Sequence, residues 1–427
     1  GQESAGIATS NSETIFCHKD MGLVAQVFSE DIIKQLPGHA AVGHNRYSTA
    51  AGSKVIHAQP FLVKRDSIAL AHNGNLPSTQ ALQDFLHSKG HDLNDVSDSR
   101  LIAEAIGVYM DEGLSVDDAI RKIYPLITGA FSILILVKDK LIAIRDECGI
   151  RPLCIGKLNG GWIICSETCA LHTIGADFVR EVNPGEMVIV DENGLHGEQL
   201  APANQKMDSF EFVYFARPDS EILGKSVYDV RRRFGERLAK ELKIEADVVI
   251  PVPETAVPVA IGYSHASGIP MEMGLAKNRY IHRTFIQPEQ HLREQGVGMK
   301  LTPIERVIKG KRVVVADDSI VRGTTSRQIV KMLFTAGARE VHFIVSSPPV
   351  KYPDFYGIDT AKQKDLLAAT KSIEEMREFL GATSLQFLSY QGLVDSIGVP
   401  ERDLNTSCFT GKYPIDIKER AAEIEFK

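Results

Sequence analysis

Residues 313–326, VVVADDSIVRGTTS, set two adjacent carboxylates, Asp317 and Asp318, between an apolar run and a short hydroxyl-rich loop. The apolar residues before them read as a buried strand, and Gly323 with Thr324, Thr325 and Ser326 opens a helix. Backbone N–H groups at a helix start have no intrahelical acceptor, so together with the hydroxyls of Ser319, Thr324, Thr325 and Ser326 they suit a phosphate dianion. Gly323 allows the backbone a close approach. Two acids beside a phosphate repel it unless they have neutral donors to hold, such as ribose hydroxyls, or a Mg2+ ion that relieves the charge. Taken alone, an Asp-Asp-Ser triplet reads equally as a helix cap.

The elements that would position these groups alternate. Val227, Val230, Phe234, Leu238 and Leu242 mark an amphipathic helix, 246–252 a buried strand, and another helix begins near Thr255. Strand 312–316, helix 324–338 and strand 340–346 follow. Such alternation implies a parallel sheet with ligands beyond the carboxyl ends of its strands. The segment from about 361, with TKSIEEMREFL, looks helical. Residues 1–195 differ: short β-like runs occur at 41–49, 67–71, 131–137, 162–165 and 186–190. Leu101, Ile102, Ala105, Ile106 and Tyr109 fall at helical spacing after Ser97 and Asp98, either of which could cap that helix. This pattern suggests packed sheets flanked by helices. The polar, aperiodic stretch 196–209 separates the two halves. The expected organisation is a domain over 1–205, a parallel-sheet domain over 206–360, and a helical extension over 361–427 packed on the latter.

Composition limits the function classes. With 427 residues, 44% apolar and 24% charged, the chain is an ordinary globular protein of two or three domains. A net charge of -7 without a basic arm gives no sign of a nucleic-acid partner. No apolar run approaches the roughly 20 residues that span a bilayer, so no membrane partner is expected. Six cysteines without a CxxC pair suggest neither zinc nor a disulfide framework, which fits the cytoplasm. Cys17, Cys148, Cys154, Cys165 and Cys169 read as packing residues.

Residues 313–326 resemble the fingerprint of type I phosphoribosyltransferases. That resemblance implies that Asp317 and Asp318 hold the ribose 2- and 3-hydroxyls, while Ser319, Arg322, Gly323, Thr324, Thr325 and Ser326 bind the 5-phosphate. PVPETAV, 251–257, would place Glu254 and Thr255 beside that loop, where they meet pyrophosphate and Mg2+; Thr255, Asp317 and Asp318 are the expected metal ligands. KNRYIHRTF, 277–285, concentrates Lys277, Arg279, His282 and Arg283, enough positive charge to close over a pyrophosphate leaving group. A solvated loop is the alternative reading of that charge run.

KNRYIHRTFIQPEQHLREQGVGMKL, 277–301, with GQESAGI, GHNRYSTA, AHNGNL and SDSR in that order before the boundary, is similar to the glutamine phosphoribosylpyrophosphate amidotransferase family nearly end to end. The resemblance implies an N-terminal nucleophile hydrolase-type sandwich followed by a phosphoribosyltransferase sheet, with YFARPDS, 214–220, as the link. Arg46 would pair with the glutamine α-carboxylate, for which a guanidinium is suited. Asp98 would take the α-ammonium, and Asn73 with Gly74 would form an oxyanion hole. The family's nucleophile is a cysteine at the start of the mature chain. This chain begins with Gly1, and Cys17 does not match the nucleophile segment, so the expectation is an enzyme that uses external ammonia in place of glutamine. Some relatives carry an iron–sulfur cluster on four cysteines; here Asp208 and Asp354 stand where two are expected and Cys408 remains, so no cluster is expected. Gly298 stands where the family pattern suggests an arginine. The implied reaction makes 5-phosphoribosylamine from phosphoribosyl pyrophosphate, with AMP and GMP as feedback inhibitors and a homotetramer as the assembly. The rival from another class is a sensor that keeps the phosphoribosyl fold without catalysis.

Overall fold

The computed structural model describes residues 3–46, 55–63, 67–91, 96–278, 301–357 and 362–424. Its amino-terminal half is built on a six-stranded antiparallel sheet. In spatial order the strands are Gly194–Gln199, Glu186–Asp191, Leu141–Arg145, Thr128–Leu136, Ile68–Ser78 and Phe61–Val63. A second sheet of three strands, ordered Ile15–Met21, Ser4–Ser10 and Ala40–Arg46, packs on one face. Alternation along the strands explains the layers, because successive side chains point to opposite faces. Ala69 and Ala71 face Ala8, Ile15 and Val42 of the second sheet. Ile68 and Leu70 face the other way, onto Leu82, Leu101, Ile102, Ile106 and Ile120 of the helices. Small residues on one face and branched ones on the other give sheet–sheet packing on one side and helix–sheet packing on the other.

The helix expected after Ser97 and Asp98 runs Asp98–Asp111, and its cap is Ser97, whose hydroxyl accepts from Arg100 N. Asp98 is thereby left with a carboxylate for other work. The β-like runs of the sequence fall in strands Ala40–Arg46, Ile68–Ser78, Thr128–Leu136, Gly161–Cys165 and Glu186–Asp191. The stretch 196–209 is only partly a connection, since Gly194–Gln199 is the outer strand of the six-stranded sheet. Its polarity is that of a strand with one neighbour and a solvated flank.

Beyond Asp208 the chain forms a four-stranded parallel sheet ordered Val248–Pro251, Arg312–Asp317, Glu340–Val345 and Ser384–Phe387. Both faces are covered, as parallel sheets require. Val249, Val314, Ala316 and Ile344 pack on helices Val227–Glu241 and Val257–Ser267. Val313, Val315, Val341 and Phe343 pack on helix Thr324–Thr335 and its neighbours. The segment from 361 is more than a helical extension: Ser384–Phe387 supplies the sheet's fourth strand, between helices Ile373–Leu380 and Tyr390–Ile397. Leu404–Asn405 then pairs in parallel with Met207–Asp208, tying the chain's end to the crossover between the two halves.

Helices Val227–Glu241 and Val257–Ser267 cross at two glycines. A Cβ on Gly235 would strike the carbonyl oxygen of Val259, and one on Gly262 the carbonyl oxygen of Arg232. Because both obstacles are backbone, neither can be relieved by rotating a side chain. Gly262→Ala is therefore expected to destabilise the parallel-sheet domain by about 1–3 kcal/mol through overpacking, seen as a lowered thermal unfolding midpoint; an unchanged midpoint would show that the helix pair separates without cost.

Candidate active site

The apolar run Val313–Ala316 is fully buried, and the parallel sheet delivers Asp317 at its carboxyl end. Asp318 N donates to Asp317 Oδ1 at 3.0 Å, and Ser319 Oγ donates to Asp318 Oδ1 at 2.7 Å. Both carboxylates are thus oriented, and they lie close enough to repel. Burial, and after it the neighbouring Asp318 charge, hold the Asp317 carboxyl well above the usual carboxylate range. Gly323 precedes helix Thr324–Thr335 in the left-handed conformation, φ 74°, and no side chain caps that helix start. Thr324 and Thr325 are exposed and Ser326 is buried, so an outward-facing rim of hydroxyls and backbone N–H groups surrounds the two acids. Two adjacent carboxylates at the mouth of such a rim, with Asp317 raised in pKa, form a donor set that fits a hard cation and sugar hydroxyls.

Strand Val248–Pro251 is registered against this run, Pro251 opposite Ala316, so the following turn carries Glu254 and Thr255 to the same sheet end. Lys277 arrives from the neighbouring two-stranded ribbon and lies 3.7 Å from Glu254 Oε1. Arg279, His282, Arg283 and Gly298 lie outside the described residues.

In the other half, Arg46 ends one strand of the small sheet, while Asn73 and Gly74 lie on strand Ile68–Ser78, next to the edge of the six-stranded sheet. Gly74 has φ 155°, and a Cβ there would strike the carbonyl oxygen of Ala130 and lie 2.8 Å from His72 Nε2. Asp98 Oδ2 accepts from Leu76 N at 3.3 Å, which binds the helix start to the Asn73–Gly74 strand. Four residues that the motifs did not single out pack around this site. His72 Nδ1 lies 2.9 Å from Ser99 Oγ, and Ser99 Oγ donates to Asp98 Oδ1 at 3.1 Å. Gln59 Oε1 accepts from His72 N at 2.7 Å, so the residue preceding Asn73 is held through both its backbone and its ring. His44 Nε2 approaches the His72 carbonyl at 3.1 Å; burial first, then the His72 ring, pushes the His44 imidazole down to about 4. HNG and SDSR were legible as motifs, but the bond between them was not.

The two half-sites open into one continuous cavity of about 2330 Å³. Arg46, Asn73, Gly74 and Asp98 line one end. Glu254, Thr255, Lys277, Asp317, Asp318 and residues 322–326 line the other. Tyr214 and Phe215 of the crossover and Arg151 lie between. The halves also touch directly, through Asn75 Nδ2 donating to the Phe355 carbonyl at 2.8 Å. Asp208, Asp354 and Cys408 come together on the cavity's flank with Arg151, which sits 3.0 Å from Glu211 Oε1. Burial, then the Asp354 charge, raises the Asp208 carboxyl, and burial raises Glu211 to about 7.

The glutamine amidotransferase domain family matches residues 44–173 and the phosphoribosyl transferase domain family residues 220–368. Over 98% of its length the chain is 49% identical to an amidophosphoribosyltransferase of Synechococcus elongatus, covering 86% of that protein. Over 98% of its length it is 45% identical to the Bacillus subtilis amidophosphoribosyltransferase, covering 89% of that protein. A solved structure of glutamine phosphoribosylpyrophosphate amidotransferase from B. subtilis, complexed with ADP and GMP, superposes with a TM-score of 0.90 at 44% identity. It covers 98% of this chain and 92% of that one.

Because the Asp317 carboxyl is raised in the folded chain, ionising it opposes folding. The stability it contributes is present below the ordinary Asp value of about 4 and is lost as pH climbs through the raised value. Asp317→Asn should therefore raise the unfolding midpoint at neutral pH but leave it little changed near pH 3, while weakening binding of phosphoribosyl pyrophosphate. Equal shifts at both pH values would show that the carboxyl is not strained by its setting.

Proposed function

The chain belongs to the amidophosphoribosyltransferase family, and we propose on that ground that its two half-sites act in series across their common cavity. The protein is a pentosyltransferase of the first step of purine biosynthesis, forming 5-phosphoribosylamine from phosphoribosyl pyrophosphate. The observation that supports the assignment of roles is one continuous cavity lined by Arg46, Asn73, Gly74 and Asp98 from one half and by Glu254, Thr255, Asp317 and Asp318 from the other.

At the amino-acid end, Arg46 pairs with the glutamine α-carboxylate and Asp98 with its α-ammonium. The Asn73 side-chain amide and the Gly74 N–H would donate to the oxyanion formed when a cysteine thiolate, which the family carries at the start of its mature chain, attacks the glutamine amide. The His72–Ser99–Asp98 bonds keep both elements in register. Ammonia crosses the cavity instead of bulk solvent, which keeps its effective concentration high at the second site.

At the sugar-phosphate end, Asp317 and Asp318 accept from the ribose 2- and 3-hydroxyls. Ser319, Thr324, Thr325, Ser326 and the neighbouring backbone N–H groups hold the 5-phosphate, with Arg322 and Gly323 completing the loop. Lys277, 3.7 Å from Glu254 Oε1, takes the pyrophosphate, and Arg279, outside the described residues, is proposed as a second pyrophosphate-binding residue. Mg2+, held by Asp317, Asp318 and the Thr255 hydroxyl, would supply positive charge to the departing pyrophosphate. As the C1–pyrophosphate bond weakens, the carboxylates hold the ribose while ammonia attacks C1, and exclusion of water protects the cation-like centre.

Asp208, Asp354 and Cys408 offer one thiol and two carboxyl groups, a donor set that does not fit an iron–sulfur cluster. Purine nucleotides such as AMP and GMP fit the sugar-phosphate end as feedback inhibitors, a homotetramer is the proposed assembly, and the cytoplasm the proposed compartment. Among the described residues no helix is long and apolar enough to cross a membrane.

Pyrophosphate release from phosphoribosyl pyrophosphate and Mg2+, with ammonia or glutamine as donor, tests the assignment. Replacing both acids, Asp317→Asn with Asp318→Asn, should lower turnover at least about 100-fold with either donor, on the scale of losing a positioned electrostatic contact. Turnover with ammonia but not glutamine would locate the deficit at the amino-acid end. Tight substrate binding without turnover in the unaltered chain would favour a sensor.

A further inference from the structure

The cysteines read from sequence as packing residues are not equivalent in the fold. Strands Cys154–Leu158 and Gly161–Cys165 form a tight hairpin whose turn residues, Asn159 at φ 51° and Gly160 at φ 80°, both take the left-handed conformation. That turn chemistry fixes the register of the two strands. The register sets Cys154 directly opposite Cys165. Opposed residues of an antiparallel pair have Cα atoms roughly 4.5–5.5 Å apart, inside the window of about 4.4–6.8 Å that a disulfide spans. The two Sγ atoms lie 3.5 Å apart as free thiols, so closing to the roughly 2.05 Å of a bond needs only a shift of the side chains.

The two thiols also differ in access. Cys154 is sealed between Leu171 and Ala176. Cys165 is half-buried and lines the shared cavity beside the exposed Ser166. Either sulfur can donate in this contact, and the Cys165 thiol also donates to the Glu167 carbonyl at 3.3 Å. The contact with Cys154 holds the Cys165 thiol below its usual range, while the same contact and then burial raise Cys154. An accessible thiol of lowered pKa beside a sealed partner is the arrangement of an attacking and a resolving cysteine. Cys169 is close by, yet among the described residues no group of three such side chains is arranged to hold a metal ion.

We propose that Cys154 and Cys165 are a reversible dithiol–disulfide site, oxidised by small hydroperoxides that reach Cys165 through the cavity. The Cys165 thiolate attacks the peroxide oxygen; the O–O bond breaks, an alcohol or water leaves after taking up a proton, and Cys165 becomes a sulfenic acid. The Cys154 sulfur then displaces hydroxide from that sulfenic acid, and its thiol proton leaves with it as water. In sum, two thiols lose two electrons and two protons, and one hydroperoxide is reduced to an alcohol and water.

The bridge would anchor a strand end that reaches the crossover between the two halves. Two residues beyond Cys165, the Glu167 carboxylate accepts from Arg217 N at 2.8 Å and from Ser220 Oγ at 2.7 Å. The Thr168 hydroxyl accepts from Glu221 N at 2.8 Å. Oxidation thus acts on the seat of the segment that links the two half-sites.

Exposure of the reduced chain to hydrogen peroxide, followed by peptide mapping without reductant, tests the proposal. Expected is the loss of two thiols, one linked pair of peptides carrying Cys154 and Cys165, a mass lower by two hydrogens, and full reversal by dithiothreitol. In Cys154→Ser, Cys165 should persist as a sulfenic acid that dimedone traps, whereas Cys169→Ser should still form the bridge. A bridge between Cys165 and Cys169, or Cys165 oxidised while Cys154 stays reduced in the unaltered chain, would overturn the assignment. The wild-type map decides between these outcomes even if a variant fails to fold.

Discussion

Everything in this molecule depends on the seam that holds two unrelated folds around one space. In the proposed function ammonia passes across that space, and an intermediate so small and diffusible is retained only if the walls do not part. The seam is built from backbone as much as from side chains. Asn75, next to the Asn73–Gly74 pair, donates to the Phe355 carbonyl. Glu167 and Thr168 grip Arg217, Ser220 and Glu221. The pairing of Met207–Asp208 with Leu404–Asn405 closes the crossover against the far end of the chain. Ile415, Ile417 and Ile424 then pack on Ala130, Cys148 and Ile150 of the amino-terminal half, so the carboxyl-terminal segment belongs structurally to both halves.

Titratable groups held away from their ordinary values gather along this space. His44 is held neutral, and Asp317, Asp208 and Glu211 are pushed upward, each chiefly by burial. Buried carboxylates without full compensation oppose folding, so such sites persist where something else gains from them. At Asp317 and Asp318 the gain, in the proposed function, is a pair of acceptors oriented before substrate arrives. At Asp208 and Glu211 the nearby Arg151 guanidinium lowers the cost, and it also stacks over the Phe215 ring at 5.0 Å. The same arginine therefore joins the amino-terminal half to the crossover by charge and by packing.

The residues that set the amino-acid end show why a motif and a site are different things. HNG supplies a strand with a bare glycine, and SDSR supplies a helix cap followed by an acid. Their functional geometry depends on Ser99, 27 residues from His72, and on Gln59, 13 residues before it. Ser97 and Asp98 are both good capping residues, and local preference does not choose between them. The choice falls to Ser97 because Asp98 is drawn toward Leu76 N on the neighbouring strand.

The sequence by itself determined what is contiguous. The acid pair, its phosphate loop and the alternation of strands and helices around it were legible because each is set by neighbours within a few residues. The Asn159–Gly160 turn is equally local, a two-residue hairpin signal that sets Cys154 opposite Cys165. What only the tertiary structure decided is what distant segments do to one another. Ser384–Phe387 is too short a strand to stand out between two helices, and joins the sheet because Glu340–Val345 offers it an edge. The close crossing at Gly235 and Gly262 exists only once two helices meet. The common cavity appears only when two separately folded halves are held face to face, since neither sequence pattern contains the distance between them.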